Sequence, residues 1–253
     1  IITGINEQHL DLFGSLKNTT KAKYELIEAL PQAGLAVFNG SNEKCRELYE
    51  KTRQIGQISQ MRLIGKDVKA EEIKVFKDKL EFKVFKGLKF QKMTAKLLGK
   101  QNIENLLMAV VVADYLGMNP EEIAKAVEKL EAPEKTMRMA SGGQGGLKEL
   151  GVLVDDSFNT NPDGVLAALE YMKTYSGKKI LILTPMIELG EKAESAHQKV
   201  GRLAGEVCDL IILTNKNYYE DFIKGIKMSK KGKKEKIMIG NGEKARKKIK
   251  AIL

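Results

Sequence analysis

The sequence has no tryptophan, two cysteines, two histidines and five prolines in 253 residues, and aromatic residues make up only 6%. Each scarcity excludes something. Cys45 and Cys208 stand far apart and without metal-type spacing, so neither a disulfide framework nor a paired-cysteine zinc site is expected. They read as reduced, buried thiols. No apolar run approaches the roughly 18 residues that a membrane-spanning helix needs, so no membrane insertion is expected. No basic-then-apolar segment opens the chain as a secretory signal would, and the expected location is the cytoplasm. Ile1-Ile2-Thr3-Gly4 lacks an initiator methionine and reads as the middle of a buried strand, as a fragment would.

What is present is ordinary for a globular protein: 43% hydrophobic and 30% charged residues. The net charge of +10 is uneven. Most of the excess lies between Lys216 and Leu253, with runs at Lys230 to Lys234 and Lys244 to Lys250. Such a tail could bind nucleic acid as a non-catalytic module. It has no interleaved aromatics for base stacking, so no nucleic-acid partner is expected and a solvated face is the simpler account.

The pattern along the chain predicts an α/β protein in two domains, 1–133 and 134–253. In the front part Ile1–Gly4 reads as a strand, and Asn18–Leu30 as a helix capped by Asn18 or Thr19. Leu35–Phe38 reads as a strand and Asn42–Thr52 as a helix. Alternation from Gln57 to Leu98 suggests antiparallel hairpins split at Gly87. A helix over Asn102–Leu116 and another opened by Asn119-Pro120 follow. In the rear part strands at Gly151–Asp155, Lys179–Thr184, Leu210–Thr214 and Lys236–Ile239 alternate with helices. That rhythm predicts a parallel sheet covered on both faces. Ligands in such sheets sit beyond the carboxyl ends of the strands, which would put Asp155-Asp156, Thr184-Pro185 and Thr214-Asn215 on one edge.

Three clusters carry chemistry. Thr3-Gly4-Ile5-Asn6-Glu7-Gln8-His9-Leu10-Asp11 places an imidazole after a strand, where it can reach a metal. Gly99-Lys100-Gln101-Asn102-Ile103-Glu104-Asn105 puts an amide at a helix start, able to read an adenine edge by donating and accepting. Asp155-Asp156-Ser157-Phe158-Asn159-Thr160-Asn161-Pro162 puts adjacent carboxylates after a strand, suited to a ribose diol or a metal. Each has a bland reading by itself: a loop histidine, a helix cap, an Asx-rich turn.

Together with Lys21-Ala22-Lys23-Tyr24-Glu25-Leu26, Met137-Arg138-Met139 and Met186-Ile187-Glu188-Leu189-Gly190-Glu191, these clusters resemble the Mur ligases over essentially the whole chain. The resemblance is nearest to members that join D-alanyl-D-alanine to a UDP-N-acetylmuramoyl-tripeptide. It implies the remainder of a central ATP-binding domain, a mixed sheet with helices, followed by a Rossmann-like C-terminal domain. It also implies a cytoplasmic, monomeric ATP-dependent ligase of peptidoglycan precursor synthesis, with ATP, Mg²⁺, a UDP-MurNAc-peptide and D-Ala-D-Ala or a related amine as cofactors and partners. His9 matches a Mg²⁺ ligand. Lys23, or less well Lys21, matches a lysine carried as a carbamate, an anionic oxygen ligand for a hard cation. Asn102 matches the adenine contact, Arg138 a phosphate-reaching hinge arginine, and Asp156 the ribose contact. Asn159 and Asn161 fall in the nucleotide-facing loop, and Glu188 and His197 in a segment near the acceptor amine.

Departures from the family pattern are specific. The phosphate loop G-x-x-G-K-[ST] has no match, since Gly65-Lys66-Asp67, Gly99-Lys100-Gln101 and Gly177-Lys178-Lys179 lack its serine or threonine. The resemblance therefore implies a chain that starts after that loop and is inactive alone. Gln101, Phe158 and Ser41 replace frequent histidine, tyrosine and aspartate. Thr184-Pro185 replaces Gly-Asp beside the acceptor segment, which leaves room for a tripeptide-forming, pseudomurein or folate polyglutamate type of acceptor.

Overall fold

The computed structural model describes residues 1–87, 89–140, 151–230, 237–240 and 242–251. The glycine-rich stretch from Ser141 to Gly146 and the lysines at 231, 233 and 234 lie outside the described residues. The chain divides into two compact units, Ile1–Glu131 and Ala132–Leu253.

The first unit is built around β1 (Leu35–Asn39), which pairs in parallel with β2 (Gln60–Ile64). Ile2 joins β1 only through an isolated parallel bridge to Phe38, so the expected first strand is reduced to one residue. The parallel β1–β2 pair also corrects the hairpin expected from Gln57 onward. β3 (Lys69–Val75), β4 (Leu80–Lys86) and β5 (Lys89–Ala95) do form the antiparallel meander, turning at Gly87 with φ 61°. Alternation along β1 sends Val37 into one apolar cluster with α4 (Asn102–Tyr115) and the meander. Ala36 and Phe38 go into another, with α2 (Leu16–Glu28) and α3 (Glu43–Ile55). A strand buried on both faces needs such a near-continuous apolar run.

Capping residues set the helix starts. Ser15, not Asn18 or Thr19, caps α2 by accepting from the Asn18 amide at 3.2 Å. The Asn18 side chain instead donates to the Phe13 carbonyl at 2.7 Å, closing the short helix α1 (Leu10–Phe13). Asn42 caps α3. Asn119 forms a capping box with Glu122 at the start of α5 (Pro120–Glu128).

The second unit holds a parallel sheet in the order β10 (Ile237–Ile239), β9 (Leu210–Leu213), β8 (Ile180–Leu183). β9 is buried throughout. Ile211 and Leu213 pack with α6 (Pro162–Met172), α7 (Ala193–Val207) and α8 (Tyr219–Lys227), while Leu210 and Ile212 pack with α9 (Gly242–Lys250). The strand expected at Gly151–Asp155 is a correction. Only Val154–Asp155 (β7) is extended, and it pairs antiparallel with Arg138–Met139 (β6) instead of joining the sheet. Helices α7 and α8 meet through glycine. A Cβ at Gly225 would lie 2.1 Å from the Gln198 carbonyl oxygen, and one at Gly201 would lie 2.5 Å from that of Phe222.

Candidate functional site

In the first unit the segment leading to His9 is held by its own carbonyls. Asn39 Nδ2, at the end of β1, donates to Thr3 O at 2.9 Å. Lys23 Nζ, on α2, donates to Gly4 O at 2.7 Å. Asn42 Nδ2, at the α3 cap, donates to Ile5 O at 3.0 Å. Three consecutive carbonyls are thus gripped from three elements. A carbonyl in a half-buried loop is costly to leave unpaired, so this arrangement fixes the path of residues 3–5. Asn39 Nδ2 also donates to Glu104 Oε2 at 2.8 Å, tying the clamp to the first turn of α4. Asn102 opens that helix, half-buried, with its Nδ2 donating to the Leu98 carbonyl at 2.8 Å. His9 caps α1 with φ 61°, a left-handed conformation.

Sequence reasoning singled out Lys23 and Asn102 but passed over Asn39, Asn42 and Glu104. The only local signal is the turn-forming pair Asn39-Gly40 between β1 and α3. The partners of Asn39, 36 and 65 residues away in sequence, leave no such signal.

In the second unit β6 and β7 bring Arg138 opposite Asp155. Asp156 is half-buried and its Oδ1 accepts from the Met137 amide at 3.0 Å. Met137 has φ 42°, and Lys135, two residues earlier, has φ 60°. The Asp156 carboxylate therefore holds a strained backbone directly before Arg138. Burial pushes the Asp156 carboxyl above its ordinary value of 3.8. The Asp155 carboxylate adds to this and the Met137 hydrogen bond opposes it.

Asn159 is exposed in the following loop. Asn161 caps α6, its Oδ1 accepting from Gly164 at 2.9 Å, so its amide oxygen serves the helix. Because β7 stands outside the parallel sheet, Asp155-Asp156 do not sit at the end of one of its strands. The expected edge is drawn together only at Thr184 and Thr214, where the Thr214 hydroxyl donates to Thr184 Oγ1 at 3.1 Å.

Glu188 is half-buried with φ 61°. His197, expected to lie near an acceptor, is fully buried. Its Nε2 accepts from the Met186 amide at 3.1 Å, which places the ring proton on Nδ1, 2.6 Å from the Ala193 carbonyl. Both nitrogens are engaged by backbone, so His197 touches no acceptor directly. Burial lowers its pKa from 6.5, against the Ala193 hydrogen bond and the Asp221 carboxylate.

Among the described residues no group of three or more His, Cys, Asp or Glu side chains could hold a metal ion. No described helix is long and apolar enough to cross a membrane.

Residues 1–113 match the Mur ligase middle domain, and residues 146–252 match the Mur ligase, glutamate ligase domain. A UDP-N-acetylmuramoyl-tripeptide–D-alanyl-D-alanine ligase of Bacillus subtilis is 26% identical over 204 residues, covering 79% of this chain and 42% of the relative. A UDP-N-acetylmuramate–L-alanine ligase of Dictyoglomus turgidum is 28% identical over 186 residues, covering 73% and 39%. Among solved structures, MurF of Acinetobacter baumannii superposes with a TM-score of 0.79 at 24% identity, over 94% of this chain and 49% of that one. MurF of Thermotoga maritima in complex with ADP superposes with a TM-score of 0.78 at 17% identity, over 100% and 56%. The chain thus spans about two-fifths of the length of these curated relatives.

Proposed function

We propose that this chain, which belongs to the Mur ligase family and carries its middle and C-terminal domains, is the adenosine-, metal- and acceptor-handling part of an ATP-dependent ligase of peptidoglycan precursor synthesis. The reaction joins the carboxylate of a UDP-MurNAc-peptide to an amine. The carboxylate attacks the γ-phosphate of ATP to give an acyl phosphate and ADP. The amine then attacks the acyl carbon, and phosphate leaves as the amide forms. Negative charge grows on oxygen in both steps, so positioning and positive charge are the protein's main contributions.

The observation that carries this reading is the occurrence of both family domains, in order, on one chain whose candidate residues stand in the matching motifs. Asn102 would contact adenine and Asp156 the ribose, with Asn159 beside it. Asp156 has a second task, since its grip on the Met137 amide sets where Arg138 begins.

The donor set suits Mg²⁺ in a limited way. This cation keeps several waters and takes one or two protein oxygens or nitrogens plus phosphate oxygens. His9 and a carbamylated Lys23 would supply that share. Carbamylation converts the Lys23 amine and CO₂ into a carbamate and one released proton. The carbamate would keep a single N–H able to donate to the Gly4 carbonyl, which the Lys23 amine meets at 2.7 Å. When bound, Mg²⁺ would neutralise charge between the phosphates.

The acceptor is read as D-Ala-D-Ala. Relatives named for L-alanine and for 2,6-diaminopimelate also match, so the experiment compares acceptors. The full-length protein is incubated with ATP and D-Ala-D-Ala, L-alanine or diaminopimelate, each with its UDP-muramoyl donor, and amide product is followed by mass spectrometry. Product with D-Ala-D-Ala is expected, and none from the isolated 253 residues. A full-length protein that makes no amide with any of these amines overturns the reading.

A further inference from the structure

The segments that follow β8 and β9 are joined through one buried side chain. The backbone amide of Met186, three residues past β8, points inward and donates to His197 Nε2. Met186 itself is fully buried, whereas Ile187 beside it is 69% exposed, so the chain turns outward immediately after the pinned amide. On the other side, Tyr218 lies five residues past β9 in a left-handed conformation, φ 55°. Its ring stacks on the imidazole with centroids 4.2 Å apart and planes within 13°. Phe222, fully buried on α8, closes the edge of the imidazole at 6.2 Å. Asp221 is a charged group whose field reaches the ring, and it is occupied by Lys224 at 2.9 Å and Gln198 at 3.4 Å. Nearer the sheet the same two segments touch once more, through the Thr184–Thr214 hydroxyl contact.

We propose that His197 is a positioning residue that locks the 184–189 segment and the 214–218 segment into a single rim, and that this rim receives the acceptor amine. The second half rests on the ligase reading above; the first half does not. An imidazole suits the task because one ring offers an acceptor to the Met186 amide, a donor to the Ala193 carbonyl and a flat face to Tyr218. A phenyl ring supplies only the face, and a glutamine side chain supplies the acceptor near the Nε2 position.

The two halves are tested separately. In this chain, amide hydrogen exchange of Met186, Ile187, Glu188 and Tyr218 reads the lock. His197→Phe is expected to speed exchange at these positions by about tenfold, the loss of roughly one buried hydrogen bond. His197→Gln is expected to stay within about threefold of wild type. Should His197→Phe not fold, Tyr218→Ala loosens the same joint from its exposed side and is expected to speed exchange at Met186. Exchange in His197→Phe or Tyr218→Ala as slow as in wild type overturns the lock, as does a His197→Gln protein as fast as His197→Phe. In the full-length ligase the Phe variant is expected to raise the acceptor KM about tenfold with the ATP KM unchanged, and the Gln variant to restore it. Equal rises in both KM values overturn the rim's assignment to the acceptor. A wild-type full-length protein that forms no amide overturns that assignment too, while the exchange arm decides on the lock alone.

Discussion

The two units hold their candidate residues by means that overlap only in part. In Ile1–Glu131 the grip is polar and directed at backbone: Asn39, Lys23 and Asn42 each take one carbonyl of residues 3–5. In Ala132–Leu253 Asp156 and His197 each take one backbone amide, and close packing and burial supply the rest of the grip. Helices α7 and α8 approach through Gly201 and Gly225, and a fully buried imidazole lies beneath the loops. The first arrangement fails one hydrogen bond at a time. The second fails when a single atom is added.

The sharpest test of that contrast is steric. Gly225→Ala would put a methyl 2.1 Å from a backbone oxygen that cannot swing away. It is expected to cost about 3 kcal/mol. Hydrogen exchange by mass spectrometry should show the loss in peptides of the second unit. Gly40→Ala, whose methyl would meet the Ile64 carbonyl at 2.0 Å, should cost a similar amount in the first unit. If both substitutions loosened the same peptides, the contrast would break.

Next in size is the carbonyl clamp. Asn39→Ala removes the donor to both Thr3 O and Glu104. A loss of about 2 kcal/mol is expected, read as faster exchange over residues 2–9. Lys23→Ala should have a comparable effect on Gly4 and should also abolish amide formation by the full-length enzyme. Retained activity there would remove Lys23 from the proposed site.

A smaller effect separates the units by pH. His197 is held neutral in the fold, with its pKa below 6.5. Below 6.5 the unfolded chain takes up a proton that the folded chain refuses, so stability falls as pH drops from 6.5 toward the lowered native value. Denaturant titrations at pH 7.5 and 5.5 should show this loss in the second unit, and His197→Gln should remove it. A loss that persists in the variant would assign the titration to another group.

The smallest stability change is expected at Asp156, with an opposite sign. Its pKa is raised in the fold, so protonation helps below 3.8, and that help is lost as pH rises through the native value. At neutral pH the carboxylate is therefore a mild liability. Asp156→Asn should melt at or slightly above wild type, because the amide oxygen can still accept from Met137. Nucleotide affinity of the full-length protein should fall by about tenfold. A drop in melting temperature together with unchanged affinity would contradict both roles.

Much of the architecture was legible from short-range chemistry. The alternation in β3 to β5, the Asn119 cap and the strand–helix rhythm of the second unit are set by residues within a few positions of one another. The motif residues His9, Lys23, Asn102, Arg138 and Asp156 were singled out through their resemblance to family motifs, since each local pattern by itself also had a bland reading. One miss is local, the α2 cap at Ser15 in place of Asn18 or Thr19; the others are decided by partners brought together by the fold. Gln60–Ile64 looks like hairpin material until β1 is available for parallel pairing. Gly151–Asp155 looks like a sheet strand until Arg138–Met139 takes its edge. His197 reads from sequence as part of a segment near the acceptor amine, and only the fold shows its ring held between the Met186 amide and Tyr218.

The sequence by itself determined the apolar stripes, the caps and the residue types that can do this chemistry, because those depend on periodicity and on side chains near in the chain. Only the tertiary structure decided which carbonyls Asn39, Lys23 and Asn42 would grip, and which amide His197 would receive. A hydrogen bond needs its two atoms within about 3 Å, and partners up to 65 residues apart in sequence meet that condition only after the chain has folded.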